Sequence, residues 1–105
     1  MKYEKHQICL CAIPVGKVSY PRPCVILDVA ADGVLAILPI STKQYNVATK
    51  FRIDKDHPNF FATGLDDTSY VFDSPIRDAH PSEMIKILGA LTGDLKSEFV
   101  KWIGE

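Results

Sequence analysis

Short apolar runs broken by proline, glycine and aspartate dominate this chain, and the pattern predicts a protein built mainly of β-strands. Residues 7–13 form the first run, which a proline ends, so we expect a strand there and a loop over residues 14–21. Two aliphatic runs follow at residues 24–30 and 34–40, separated by Ala-Asp-Gly at 31–33. Because Asp-Gly between two apolar runs is typical of a β-hairpin turn, these runs predict an antiparallel pair.

The second half of the chain predicts further short strands between polar turns. Residues 50–53 alternate as a short edge strand does, and residues 69–72 form another apolar run. Residues 60–65 fit either a short strand or a packed loop, and residues 81–84 fit a helical turn or loop. The apolar segment at residues 85–91 stays open between strand and helix, because periodicity does not separate the two in so short a run.

The C-terminal segment predicts an amphipathic α-helix. Thr92 offers a hydroxyl cap at its start, and Asp94 places an acid in the first turn. The apolar side chains that follow at helical spacing are Leu95, Phe99, Trp102 and Ile103. Such a stripe is more typical of core packing than of a partner groove. The expected fold is therefore mainly β with a C-terminal α-helix, in one domain spanning residues 1–105.

The composition changes this picture little. At 105 residues the chain suits one domain, and 47% hydrophobic with 24% charged residues is ordinary for a globular protein. The formal net charge of −1 gives no general attraction to nucleic acid, so any contact with a polyanion must be local. No apolar run is long enough to span a membrane and residues 1–6 lead into no signal sequence, which predicts a cytoplasmic protein without a membrane partner.

The spacing of cysteine and histidine favours neither a disulfide framework nor a metal centre. The three cysteines, at positions 9, 11 and 24, are an odd number and are expected to be reduced. Cys9 and Cys11 would share one face of a strand with no second ligand pair nearby, and the three histidines are isolated in the sequence. We therefore expect no metal and no cofactor.

Polar groups at the ends of the predicted hairpin strands form the candidate site. Arg22 precedes the first strand, whereas Ser41 and Thr42 follow the second, and antiparallel pairing would bring the two ends together. A guanidinium is a planar fork of donors suited to phosphate oxygens, and hydroxyl groups can hydrogen-bond the same anion. The hairpin thus predicts a phosphate-binding pair. The alternative is a solvated surface arginine with hydroxyls that satisfy a turn.

The order of several motifs resembles the MazF/PemK toxin family of type II toxin–antitoxin systems. The resemblance covers nearly the whole chain, and no single motif in it is specific. The matching segments are Arg-Pro before an aliphatic strand at 22–27, an apolar-Pro-Ile-Ser segment at 38–43, Phe-Arg-Ile at 51–53, Gly-Leu through Ser-Tyr-Val at 64–71, Ile-Arg at 76–77, and a closing strand and helix at 87–103.

The resemblance implies an SH3-like small β-barrel of the MazF, CcdB and Kid type that forms a homodimer. Members typically cut single-stranded RNA without metal, use the ribose 2′-hydroxyl as nucleophile and leave a cyclic phosphate, and an antitoxin protein blocks the groove. In that scheme Arg22 matches the catalytic arginine, and Ser41 matches the hydroxyl residue at the family's usual threonine position. In-line attack develops negative charge on the phosphoryl oxygens, which a guanidinium and a hydroxyl can stabilise.

The sequence offers no obvious general base for this reaction. Some family members carry an arginine and an acid two residues apart in the strand that here reads Phe-Asp-Ser at 72–74, so Asp73 would point to the opposite face. Thr42, Asp73 and His80 are candidates for supporting roles in catalysis, His80 because imidazole titrates near neutral pH. The residues expected to contact RNA are Lys17, Ser19, Tyr20, Lys43 and Arg77.

Three functions remain open from the sequence. They are a ribonuclease toxin, a non-catalytic barrel that binds an antitoxin-like peptide or nucleic acid, and a gyrase poison of the related CcdB type. The arginine and serine pair favours the first. The missing arginine and acid pair, together with the slightly acidic net charge, favours the second, and no motif supports the third.

Overall fold

The structure of the protein, a computed structural model, describes residues 2–15, 18–43, 50–73 and 76–104. For residues 13–15, 18 and 19 it describes the backbone only. Within these ranges the chain forms seven β-strands, two single-turn 3-10 helices and one α-helix. The strands are β1 (Gln7–Val15), β2 (Val18–Val29), β3 (Leu35–Ser41), β4 (Lys50–Ile53), β5 (Ser69–Phe72), β6 (Arg77–Ala79) and β7 (Met84–Ala90); the 3-10 helices span Phe61–Thr63 and Pro81–Glu83, and α1 spans Gly93–Ile103.

The strands form one antiparallel sheet in the order β4-β5-β3-β2-β1-β7. β3 has two partners on one side, because β6 pairs with its first half and β5 pairs with its last residues. β4 and β7 end the order, and no pairing in the described part of the chain joins them. The predicted mainly β fold with a C-terminal α-helix is therefore confirmed, and the sheet is open rather than closed.

The predicted central hairpin between β2 and β3 is confirmed, and its register shifts between Ile26 and Asp28. β2 and β3 pair with Cys24 opposite Pro39. In the turn the Ala30 N–H donates to the Val34 carbonyl oxygen at 2.9 Å, and Gly33 adopts a φ of +90°. Glycine is favoured at such a positive φ because it has no Cβ. The Asp-Gly signal in the sequence thus identifies the turn correctly.

A loop was predicted over residues 14–21; residues 16 and 17 lie outside the described part of the chain, and the others belong to the paired strands β1 and β2. Pro14 lies opposite Ser19, and Pro21 lies opposite Ala12. In the described structure, residues 12–15 of β1 and residues 18–21 of β2 pair only with each other. The other edge of each strand is unpaired there, so a proline that lacks an N–H on that edge removes no hydrogen bond between strands. The prediction was wrong because it excluded proline from strand pairing altogether. As a consequence, Arg22 lies inside β2 rather than at a strand entrance.

Two apolar clusters cover the two faces of β1, β2 and β3. One lies under α1, and its buried side chains include Ile8, Val25 and Phe99. The other lies on the opposite face and contains the three cysteines together with Ile26 and Ile37. Successive side chains of a strand point to opposite faces, which explains why neighbours in sequence fall in different clusters. The central strands are therefore buried on both sides.

The two segments that the sequence left open pack against each other. Residues 60–65 form a packed turn around the first 3-10 helix, and residues 85–91 lie mostly in β7. An ideal Cβ on Gly89 would lie 2.1 Å from the Ala62 carbonyl oxygen, so only glycine permits this approach of the two backbones. The same turn leaves the Phe61 ring 96% exposed. β6 is a further strand that the sequence did not predict.

Helix α1 carries the predicted apolar stripe but not the predicted cap. Leu95 and Phe99 are buried against the sheet. The Thr92 side chain makes no capping hydrogen bond. Instead the Asn59 side chain accepts the Leu95 N–H at 3.4 Å, so a residue from a distant loop satisfies the helix start. No helix in the described part of the chain is long and apolar enough to cross a membrane.

The three thiols are buried and free of disulfides, as predicted. Burial, with the nearby Cys11 adding to it, raises the pKa of Cys9 from 9.0 to about 11. Burial also raises the pKa of Cys24 and of Cys11. These groups are therefore neutral packing side chains at ordinary pH.

Alkaline pH is expected to destabilise the fold through these thiols. A thiol of the unfolded chain ionises near pH 9, whereas Cys9 in the folded protein stays protonated up to about pH 11. Its stabilising effect is complete below pH 9 and is lost as the pH rises toward 11, by up to about 1.4 kcal/mol per pH unit for each such thiol. Urea unfolding across this range would measure the slope. Cys9→Ala should give a smaller slope, and an equal slope would contradict the assignment.

Candidate functional site

An open groove of about 510 Å³ lies where the ends of β2 and β3 meet the loop before β5 and the middle of β7. Its apolar lining includes Leu10, Pro23, Ile40, Leu65 and Leu88. Its charged lining residues are Arg22, Lys43, Lys86, Asp66 and Asp67, and its hydroxyl groups come from Tyr20, Ser41, Thr42 and Ser69. A groove with apolar surfaces, cations and hydroxyls suits an extended polymer that carries both flat rings and negative charge.

Arg22 and Ser41 lie on neighbouring strands and line the same groove. The pairing of these strands reaches Cys24 opposite Pro39, so each of the two residues lies two positions beyond the end of that pairing. Arg22 is exposed, and no ion pair joins it to another residue of the described ranges. Its guanidinium is therefore available to an anion in the groove.

The Ser41 hydroxyl has a defined orientation. Its Oγ accepts the backbone N–H of Lys43 at 3.1 Å, in the local turn that ends β3. Because that contact uses an oxygen lone pair, the hydroxyl proton remains available to donate to a second acceptor. Lys43 and Thr42 follow directly on the exposed rim. Ser41 can thus donate a hydrogen bond to the anion that Arg22 attracts.

Some of the predicted site residues come together here, and others lie elsewhere. Tyr20, Thr42 and Lys43 line the groove with Arg22 and Ser41. Lys17 lies outside the described residues, and for Ser19 only the backbone is described, opposite Pro14 in the outer part of the first hairpin. The exposed Tyr20 ring, with 47% of its surface accessible, is suited to stacking on a base.

Asp73, Arg77 and His80 are not among the residues that line this groove. β5 begins at the groove and runs away from it, so Asp73 follows its far end. Arg77 pairs with Ile37, four residues before Ser41, which is about 13 Å along a strand. The His80 N–H donates to the Glu83 carboxylate at the start of the second 3-10 helix. The structure therefore separates these three residues from the groove.

Sequence reasoning missed Lys86, Asp66 and Asp67, which line the groove beside the predicted residues. Lys86 lies opposite Leu10 in the pairing of β1 with β7. In the sequence it is a single lysine within an apolar run that fitted either a strand or a helix. The two aspartates were interpreted only as a bend before β5. Their place at the groove depends on the pairing of β5 with the end of β3, which no local pattern predicts. Among the described residues, the groove lining therefore includes three cations and two carboxylates.

No group of three or more His, Cys, Asp or Glu side chains within the described residues is arranged to hold a metal ion. No protein-family model matches the chain, and no curated protein matches it significantly.

Proposed function

We propose that this chain is a metal-independent endoribonuclease of the MazF/PemK toxin type, which cleaves single-stranded RNA and is controlled by an antitoxin protein. The observation that carries the proposal is that Arg22 and Ser41, on neighbouring strands, line one open groove. A permanently charged donor fork and an oriented hydroxyl at the same site match the needs of a phosphoryl group that gains charge during displacement.

The reaction in this proposal is attack of a ribose 2′-hydroxyl on the adjacent phosphorus. Negative charge grows on the two non-bridging oxygens, where Arg22 supplies positive charge and Ser41 donates a hydrogen bond. Lys43 and Lys86 lie on the same groove and would contact flanking phosphates. Tyr20 on the rim offers a ring for an unpaired base to stack on, which favours a single strand.

The finer fold assignment, an SH3-like barrel of the MazF type, belongs to the same proposal. Three features support it: the antiparallel strand order, the burial of β1, β2 and β3 on both faces, and a C-terminal helix packed on one face. The homodimer is inferred from the motif resemblance. An antitoxin segment with acidic side chains would be complementary to the exposed cations of the groove.

Metal-free cleavage of a mixed-sequence single-stranded RNA in EDTA tests this proposal. The wild-type chain should leave 2′,3′-cyclic phosphate and 5′-hydroxyl ends, and the Arg22→Ala chain, purified in the same way, should leave almost none. Arg52→Ala is the matched control, because Arg52 is an exposed arginine on β4 that pairs with Asp54 at 3.2 Å and does not line the groove. Equal cleavage by all three would point to a contaminating nuclease and would sink the proposal.

A non-catalytic module that binds an antitoxin-like peptide or nucleic acid is the second candidate. The exposed Phe61 ring favours it, because Phe61 lies on the turn that leads to Gly64 and Leu65 of the groove wall and would suit an apolar partner side chain. Binding of RNA or peptide by a folded chain that never cleaves would support this candidate over the ribonuclease.

A further inference from the structure

We propose that Asp66 is the general base of this site, the group that takes the proton from the attacking 2′-hydroxyl. This inference rests on the proposed ribonuclease function. It assigns a role that the sequence left vacant, and Asp73 and His80 are not among the residues that line the groove.

The chemistry of the groove restricts the choice of base. A ribose hydroxyl is a poor nucleophile until a base accepts its proton, and a base must be unprotonated at working pH. Arginine, lysine and tyrosine side chains carry their protons at neutral pH. Among the described residues that line the groove there is no histidine, and the carboxylates are those of Asp66 and Asp67. The base is therefore sought in this pair.

The sheet order places these aspartates on the correct side of the phosphate site. β3 lies between β2 and β5, so Ser41 has Arg22 on one side and the start of β5 on the other. Tyr70 of β5 is opposite Ser41, and antiparallel pairing carries the residues before β5 past the end of β3. A phosphate at Ser41 would thus have the arginine on one flank and the aspartate loop on the other.

Hydrogen bonds distinguish Asp66 from Asp67. The Asp67 carboxylate accepts the Thr68 N–H at 2.7 Å, and the Asp67 carbonyl oxygen accepts the Ser69 hydroxyl at 2.8 Å. The Lys55 N–H donates to the Thr68 hydroxyl at 3.0 Å and ties the same loop to the turn after β4. Asp67 thus helps to hold the loop, and its carboxylate is already engaged in that hydrogen bond.

The Asp66 carboxylate makes no hydrogen bond or ion pair with any residue in the ranges that the structure describes. It stands on an anchored loop at the rim of the groove and is exposed. A positioned carboxylate with free lone pairs is what proton abstraction requires.

The balanced step follows from this placement. The 2′-hydroxyl proton passes to the Asp66 carboxylate, the 2′-oxygen forms its bond to phosphorus, and the bond from phosphorus to the 5′-oxygen breaks. The departing 5′-oxygen takes a proton from solvent water, and the protonated Asp66 returns its proton to solvent. No oxidant, reductant or metal takes part, and the products are a 2′,3′-cyclic phosphate and a 5′-hydroxyl.

The test is the pH dependence of kcat/KM for RNA cleavage in EDTA, measured for wild type, Asp66→Asn, Asp66→Glu and Asp67→Asn. Asp66→Asn should lose about 10²–10⁴-fold in kcat/KM and also the acid limb of the pH profile, because the amide cannot accept the proton. Asp66→Glu should recover part of the rate together with an acid limb. Asp67→Asn should keep the acid limb of the pH profile. Thermal unfolding of each variant checks that it is folded.

The outcomes separate this inference from the proposed function. If wild type cleaves and Asp66→Asn cleaves equally well, or is slower with an unchanged acid limb, Asp66 is not the base while the ribonuclease stands. If Asp67→Asn alone removes the limb, the base is Asp67 and the assignment to Asp66 is wrong. If folded wild type leaves RNA intact, the ribonuclease and the role of Asp66 fall together.

Discussion

Arg22→Ala is expected to lower kcat for RNA cleavage by about 10²–10³-fold, which is the usual cost of removing one preorganised donor from a site of developing negative charge. The loss should fall mainly on kcat, because the guanidinium interacts more strongly with the transition state than with the ground-state phosphate. Substrate binding should weaken less, since Lys43 and Lys86 remain in the groove. Single-turnover cleavage and separate RNA binding measurements would resolve the two effects.

Arg22→Lys distinguishes charge from geometry at the same position. Lysine keeps the positive charge but loses the planar fork that can donate two parallel hydrogen bonds to phosphate oxygens. We expect its rate to lie between those of wild type and Arg22→Ala. A rate equal to that of wild type would mean that charge alone is needed. An Arg22→Ala chain within a few-fold of wild type would remove Arg22 from the catalytic site.

The presence of Arg22 and Ser41 in one groove was predictable from the sequence because both belong to one hairpin. The Asp-Gly turn at residues 32–33 joins β2 to β3, whose pairing shifts register between Ile26 and Asp28 and reaches Cys24 opposite Pro39. A hairpin needs only short-range information, since its two strands are joined by the turn that aligns them. This part of the candidate site therefore followed from about twenty consecutive residues, 22–41.

The acidic side of the groove was not predictable in the same way. Asp66 reaches it through the pairing of β5 with β3, two strands separated by a long stretch of intervening chain. Lys86 reaches it through β7, a segment whose apolar run also fitted a helix. The helix cap shows the same limit, because Asn59 caps α1 from 36 residues away while the adjacent Thr92 does not. Local pattern predicts an element well but not its distant partner.

Gly64→Ala is expected to destabilise the fold by about 3 kcal/mol or more, because two separate costs act at this residue. Gly64 has a φ of +73°, where an L side chain is strained. An ideal Cβ on Gly64 would also lie 2.1 Å from the Leu88 carbonyl oxygen, which belongs to the backbone of β7 and cannot rotate away as a side chain can. Urea unfolding, with the midpoint and slope compared to wild type, measures the loss.

Two other glycines separate these costs. Gly33 has a φ of +90° but open space around its Cβ position, so Gly33→Ala should show the conformational cost alone, about 1 kcal/mol. Gly89 is not among the described residues with positive φ, yet its Cβ would meet the Ala62 carbonyl oxygen, so Gly89→Ala should show the steric cost alone. Gly64→Ala should approach the sum of the two. A Gly64→Ala loss no larger than that of Gly33→Ala would contradict the close contact between the turn and β7.

The same three variants connect stability to the groove. Gly64, Leu65 and Leu88 line its wall, and the contact of the turn with β7 holds that wall in position. Folded Gly64→Ala and Gly89→Ala proteins should therefore bind RNA less well, whereas Gly33→Ala, whose turn lies at the other end of β3, should bind as wild type does. Binding would be measured at a temperature where each variant is fully folded. Unchanged binding by folded Gly64→Ala would show that this wall is not part of the RNA site, because its backbone must shift to admit the new methyl group.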